Sequence, residues 1–284
     1  MNAALQALFA PTAVKWVLKQ LWREMPSERR KRFVSMFRSA ELGILSIDPG
    51  WDYEHLLAAT YRACFVGEVD APLACALFDE AFYKGRQEDS DEFLRRVLEG
   101  RALLNIGSPV LVRSISGLVQ QSLRCTNGDC VGEIPSVLEN LPWIALPVHT
   151  EQGAPITCIQ DAVNAYRWES KVDDLINVCP VCGSGGENDR RTWIKTSRVK
   201  EYPAVLTLVL NRWNSPYGAS LHPVTAHDYV YFQGRRYAFA SVVCHLGSQY
   251  GGHYVAVVKH GDSGQWFIYD DDRCEPATAA HIST

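Results

Sequence analysis

Apolar positions in the first hundred residues recur with helical spacing. Leu5, Leu8 and Phe9 share one face of a short helix that Pro11 stops, and Val14, Val17, Leu18, Leu21 and Trp22 follow at i, i+3, i+4, i+7 and i+8. Both stripes should pack inward. A third helix is expected after Pro26 with Ser27 as its N-cap, a fourth over about 52–65 and a fifth over about 72–83. A sixth contains QEDSDEFLRRVLEG (87–100), with Phe93, Leu94, Val97 and Leu98 inward and Gly100 ending it. Past about residue 108 the period changes. Segments 206–213, 237–245, 253–259 and 266–270 are rich in Val, Ile and aromatics and are broken by Gly, Pro, Asn or Asp, which predicts strands. One amphipathic helix is expected between them over 157–171, with Ile159, Ala162, Val163 and Tyr166 on one face. Helices first and strands later predict an α+β fold whose parts share an interface, with no repeat, low-complexity tract or flexible linker.

Composition narrows the function classes. Hydrophobic residues make up 47% of the 284 and charged residues 21%, enough apolar material for a sizeable core. A net charge of -4 gives no general attraction to nucleic acid or anionic lipid, so neither is an expected partner. No apolar run approaches the roughly 18–20 residues of a membrane span, and no secretion segment opens the chain, which predicts an intracellular protein, cytoplasmic or nuclear. Nine cysteines, five of them alone (Cys64, Cys75, Cys158, Cys244, Cys274), suit a reducing compartment where lone thiols act as small buried hydrophobes. The basic run from Arg29 to Arg32, beside Phe33 and Phe37, reads as a solvated helix face before it reads as an import signal or binding patch.

The other four cysteines form pairs. Cys179 and Cys182 stand in CPVCGSGG, where Pro and glycines permit a tight turn that aims two thiolates at one point, half of a tetrahedral zinc site. Cys125 and Cys130 in RCTNGDC supply the other half, and a four-sulfur structural zinc would then tie two distant hairpins together. A redox dithiol at CPVC and unligated surface thiols remain alternatives. The first needs a helix after the motif, which GSGG disfavours.

The segment GGHYVAVVKHGDSGQWFIYDDD carries the chemistry. His253 opens one expected strand and Asp270 closes the next, so a hairpin would bring them together at the same end. An imidazole held by a carboxylate keeps one tautomer and can take a proton from a nucleophile. Gly251 and Gly252 would let an extended peptide lie close to the backbone, in a cleft selecting small residues. A histidine before a strand is also a common structural residue, and Asp270, Asp271 and Asp272 could equally form a solvated turn or a cation site.

Four stretches in order resemble the ubiquitin-specific protease family: MNAALQALF, the start of its first helix, which follows the nucleophile in a Gly-Asn-Thr-Cys-Tyr-Met-Asn motif; QEDSDEFL, its Gln-Gln-Asp-Ala-x-Glu-Phe-Leu box; YPAVLTLVLNRW, its Leu-Pro-x-Val-Leu-x-x-x-Leu-x-Arg-Phe strand with Trp213 for the Phe; and GGHYVAVVK through WFIYDDD, its histidine and aspartate boxes. The resemblance runs nearly end to end. It implies a papain-like cysteine protease fold in a single domain over 1–284, with a helical thumb to about 108, zinc-tipped β fingers mainly over 109–200 and an antiparallel β palm mainly over 201–284. It implies ubiquitin or ubiquitinated proteins as partners, His253 as general base, Asp270 as its orienter and Asp271 assisting. Gln87, Asp89 and Glu92 would face the substrate tail, whose Leu-Arg-Leu-Arg-Gly-Gly sequence offers arginines to the carboxylates and side-chain-free residues to Gly251 and Gly252. For Asp89 and Glu92 the plain alternative is a pair of surface acids early in a helix.

On that alignment the nucleophilic cysteine belongs two residues before Met1, and none of the nine cysteines is an evident substitute. The chain is therefore expected to be inactive as given, through a truncated or misassigned start, while the full protein cleaves after ubiquitin's terminal glycine. A ubiquitin-binding scaffold without catalysis is the alternative.

Overall fold

The structure is a computed structural model in which residues 2–33, 57–62, 90–99, 114–186, 191–213, 216–248, 251–261, 263–271 and 273–278 are described. The helix expected over 72–83 lies outside these residues, as do Gln87, Asp89, Cys64 and Cys75.

The opening stripes form α1 (Asn2–Phe9) and α2 (Thr12–Glu24). Pro11 separates them: with no N–H it cannot continue α1, and its fixed φ of -62° suits the entry to α2. Residues 27–33 and 57–62 are helical, and α3 spans Ser90–Glu99. Leu5, Leu8, Phe9, Val14, Val17, Leu18, Phe33, Leu57 and Phe93 close into one buried core, with Leu21, Trp22 and Leu94 against it. Among the described side chains the inward stripes are where their periods require; those of Val97 and Leu98 lie outside them. Above Phe33, Arg29 and Arg32 are exposed and Lys31 bonds Glu28 at 3.2 Å in solvent, the solvated face expected of the basic run.

The strands in chain order are β1 (Gly117–Cys125), β2 (Glu133–Leu141), β3 (Ile144–Leu146), β4 (Glu169–Leu175), β5 (Arg191–Glu201), β6 (Leu208–Leu210), β7 (Tyr229–Phe232), β8 (Arg235–Ala238), β9 (Ser241–Ser248), β10 (Gly251–Lys259), β11 (Trp266–Asp270) and β12 (Arg273–Pro276). One antiparallel sheet has the order β2-β1-β5-β4 and a second the order β12-β11-β10-β9; β3 pairs in parallel with β6, and β7 and β8 form a hairpin.

Several boundaries differ from the expectation. The helix predicted over 157–171 is only α4 (Ile159–Ala165), because Tyr166 turns extended and 169–175 pairs with β5 as an edge strand. Tertiary pairing overrides the local period there: Trp168 packs on Phe232, with ring centroids 5.5 Å apart, and fixes the chain's exit from the helix. The strand predicted over 206–213 shortens to β6. That predicted over 237–245 divides into β8 and β9, since Phe239 turns aside to bond Asp228 and stack on Trp266. Nor are the lone thiols all buried hydrophobes. Cys158 caps α4, its sulfur accepting the Asp161 N–H at 3.4 Å, Cys244 is half-buried and Cys274 is exposed.

Helix α1 has a second face that the apolar period does not reveal. Ala3 and Ala10 are buried in a cluster with Ala256 and Val258, and Ala7, Val243, Tyr254 and Tyr269 pack around it. Small side chains let the helix lie close on β9–β11, and Ser241 Oγ donates to the Ala7 carbonyl at 2.9 Å. One short helix is thus clamped between the helical core and a sheet, which makes it the reference frame for the site at the sheet's end.

Candidate functional site

The register of β10 and β11 pairs Ala256 with Tyr269, and one step further sets Asp270 opposite Val255. Alternation along β10 puts His253 on the same face as Val255, so the imidazole and carboxylate are diagonal neighbours. His253 Nε2 and Asp270 Oδ1 are 2.5 Å apart, with side chains 44% and 48% exposed. The ring donates Nε2–H to the carboxylate and leaves Nδ1 as the nitrogen with a lone pair. Asp270 pairs with Arg273 across a tight hairpin in which Asp271 is left-handed at φ 51°, a conformation that Asp tolerates better than most residues. A ring nitrogen of His253 and carboxylate oxygens of Asp270 and Asp271 lie within 4.8 Å of one another.

This corner is fastened to α1. Gln6 Nε2 donates to the Asp271 carbonyl at 3.1 Å. Thr12, just past the end of α1, reaches Gly261 beyond the end of β10, while Ala7 bonds Ser241, the partner of Val258. Helix and strand therefore run the same way, and the amino end of α1 points toward the end of β10 that carries His253. That end of a helix favours negative charge, as a thiolate requires.

The glycine pair is placed differently from the expectation. Gly251 and Gly252 are not a lead-in to β10 but its first residues, paired with Ser248 and Gly247. Gly251 is exposed, whereas the space left by Gly252 is taken by the chain itself: a Cβ there would collide with the ring of His245. His245 stacks on Tyr254 at 4.6 Å, and Trp213 meets it edge-on at 6.2 Å. Periodicity could not identify His245 or Gln6, because their relevance comes from a cross-strand neighbour and a helix–turn contact. Glu92 is exposed on α3 and is not gathered with His253 and Asp270 in the three-residue cluster; Gln87 and Asp89 lie outside the described residues.

At the far end of the first sheet the four paired cysteines converge. Cys125 ends β1 and Cys130 lies in the turn to β2, while Cys179 and Cys182 occupy the connection from β4 to β5. Cys125 and Cys182 sulfurs are 3.9 Å apart, those of Cys130 and Cys179 are 3.6 Å apart, and all four lie within 4.8 Å. Tetrahedral zinc with bonds of about 2.3 Å separates its sulfurs by about 3.8 Å, so this donor set fits that ion. The cradle is shaped for it. A Cβ on Gly132 would collide with Cys179 Sγ, and the amides of Asn127 and Gly132 donate to Cys125 and Cys130 sulfurs at 3.4 and 3.3 Å. Bonds from Ser184 and Asn127 pull the Cys182 thiol down to about 5. For Cys130 the Gly132 amide acts the same way, but burial and the three neighbouring thiols outweigh it and push the group up to about 12. Four crowded sulfurs cannot all ionise without a cation among them. The redox alternative loses ground, since the CPVC turn lies between two strands instead of opening a helix.

A family model described as "Ubiquitin carboxyl-terminal hydrolase" matches residues 1–284. The chain belongs to that family. Among curated relatives, bovine ubiquitin carboxyl-terminal hydrolase 2 is 26% identical over 181 residues, covering 59% of this chain and 28% of that protein. Ubiquitin carboxyl-terminal hydrolase 4 of Saccharomyces cerevisiae is 33% identical over 221 residues, covering 68% of this chain and 23% of that protein. The chain thus spans about a quarter of these relatives' length. A chain of the SAGA Ubp8/Sgf11/Sus1/Sgf73 DUB module bound to ubiquitin aldehyde superposes with a TM-score of 0.68 at 14% identity, covering 100% of this chain and 64% of that one. The fold is accordingly the papain-like one of the family, mixed helix with antiparallel sheets. No helix among the described residues is long and apolar enough to cross a membrane.

Proposed function

We propose that this chain belongs to the catalytic domain of a thiol hydrolase that cleaves after the C-terminal glycine of ubiquitin, in the cytoplasm or nucleus. The observation that carries the reading is the 2.5 Å contact between His253 Nε2 and Asp270, at the strand end toward which the amino end of α1 points. On this reading the nucleophile is a cysteine thiol at the amino end of α1. Nδ1 of His253 takes its proton, and the thiolate attacks the glycine carbonyl to give an acyl-thioester. The imidazolium protonates the departing amine, and water, deprotonated by the same nitrogen, then releases ubiquitin. Asp270 holds the ring, and Asp271 supports the hairpin from which Asp270 projects. Gly251 and Gly252 are assigned to the substrate's terminal glycines, and Gln87, Asp89 and Glu92 to its arginines. Residues 1–108 serve as thumb, 109–200 mainly as fingers and 201–284 mainly as palm. Cys125, Cys130, Cys179 and Cys182 would hold a structural zinc that ties the finger hairpins together and takes no part in the bond cleavage.

The test joins Gly-Asn-Thr-Cys-Tyr ahead of Met1. The 284-residue chain should bind ubiquitin without hydrolysing a fluorogenic ubiquitin C-terminal amide, and the extended chain should hydrolyse it with thiol dependence. His253→Ala should lower that rate by about a thousandfold. An extended chain that binds ubiquitin and never turns over would favour the scaffold reading, and one that does neither would end both.

A further inference from the structure

We propose that the free edge of β8, at Arg236 and Ala238, takes an extended acidic segment of another protein as an added strand. This docking goes beyond the hydrolase reading and does not depend on it. Gln233 at φ 49° and Gly234 at φ 79° turn β7 into β8 as a two-residue hairpin. Phe239 N–H donates to the Asp228 carbonyl at 2.9 Å, which sets the alternation along the ladder. Val230 and Tyr237 bond each other, as do Phe232 and Arg235, while Tyr229, Tyr231, Arg236 and Ala238 turn their N–H and C=O groups outward.

The two outer edges differ. On β7 the Gln160 side chain closes the edge: Nε2 donates to the Tyr231 carbonyl at 3.0 Å, and Tyr231 N–H donates to Oε1 at 2.7 Å. On β8 no described residue does the same for Arg236 or Ala238, and both are exposed. An edge left open in this way is a template for a further strand.

Charge selects which strand. Arg236 lies over the Tyr229 ring at 4.6 Å, and Arg235 over the rings of Tyr202 and Tyr237 at 5.7 and 5.8 Å. A ring that covers the face of a guanidinium leaves its in-plane N–H groups for a carboxylate. Among the described residues neither arginine has one, whereas the exposed Lys31 and Arg167 pair with Glu28 and Glu151. A second copy of the chain is disfavoured, since β8 paired with itself sets arginine against arginine. An incoming strand with carboxylates at alternate positions presents them on the face of Arg236, and Ala238 is too short to bar the way. The hairpin leads into β9 at Ser241, which pairs with Val258, whereas His253 pairs with Leu246 at the other end of the sheet. Five residues of strand, about 16 Å, separate the two ends, so the added strand leaves the His253 corner free.

The experiment titrates the isotope-labelled 284-residue chain with the synthetic peptide Ac-Thr-Glu-Val-Glu-Val-Glu-Thr-NH2 and follows backbone amide resonances and their exchange. The Arg236 and Ala238 amides of the unmutated chain should shift and exchange more slowly, which does not depend on how any variant folds. Affinity should fall about tenfold or more in Arg236→Ala. Ala238→Pro, which removes only an outward N–H, should abolish binding. The same peptide with Lys for each Glu should not bind. Unmoved edge amides, shifts without slowed exchange, equal binding of the Lys peptide, or undiminished affinity in Arg236→Ala would overturn the proposal. So would self-association that protects these amides without peptide, or an oligothymidylate that takes the Tyr229 and Tyr231 rings in preference to the peptide.

Discussion

At the scale of single residues, what matters most is where a side chain is missing. Gly132 has none because Cys179 Sγ occupies the space, so Gly132→Ala should displace the Cys179 and Cys130 thiols and weaken retention of the proposed zinc by about tenfold to a hundredfold. Val131→Ala, next door and 84% exposed, should leave retention unchanged; competition with a chromogenic chelator compares the two. The thiols also differ in ionisation. In metal-stripped protein Cys182, lowered to about 5, is a thiolate at pH 7, whereas Cys130, raised to about 12, remains a thiol. Iodoacetamide at pH 7 should therefore modify Cys182 well before Cys130, and mass spectrometry showing the reverse order would refute the hydrogen-bond pattern around Ser184. The sequence presented CPVC as a close pair of thiols suited to half of a zinc site. It could not show which thiol ionises first, since that depends on Ser184 and Asn127 after folding.

Among the elements, α1 decides the most. Its leucine and phenylalanine stripe is legible as a period, and its alanine stripe is not, because Ala is as common on exposed faces as on close-packed ones. The structure shows Ala256 fully buried between α1 and the sheet. Ala256→Leu should cost about 1–3 kcal/mol, read from denaturant unfolding, because neither α1 nor the sheet can retreat. Gln6→Ala should remove the tie to Asp271, costing about 1 kcal/mol of stability and altering the His253 ring resonances. A variant with unchanged resonances would show that the hairpin holds itself. Segment 157–171 shows the converse. Ile159 to Tyr166 has a helical period, but residues past it are captured by β5, and no local pattern announces that partner.

At the scale of the molecule, the first sheet and the second are stabilised differently. The sheet of β9–β12 is backed by α1, whereas the cysteine end of the sheet of β1, β2, β4 and β5 has a small core of Cys125, Cys179 and Trp193, with Leu123, Cys130 and Ile134 beside it. Stripping the metal should therefore speed amide exchange in β1, β2, β4 and β5 and leave β9–β11 protected. Uniform loss of protection would mean that the metal supports the whole fold. The sequence by itself determined the α+β order, the inward helical stripes, the paired cysteines and the hairpin that joins His253 to Asp270, because each follows from spacing along the chain. Only the tertiary structure decided that His245 fills the face of Gly252, that Gln6 braces the acidic turn, that Glu92 stands outside the His253 cluster, and that α1 runs the same way as the strand that carries His253. Those are contacts between segments far apart in sequence, and a one-dimensional period carries no information about which distant partner an element will meet.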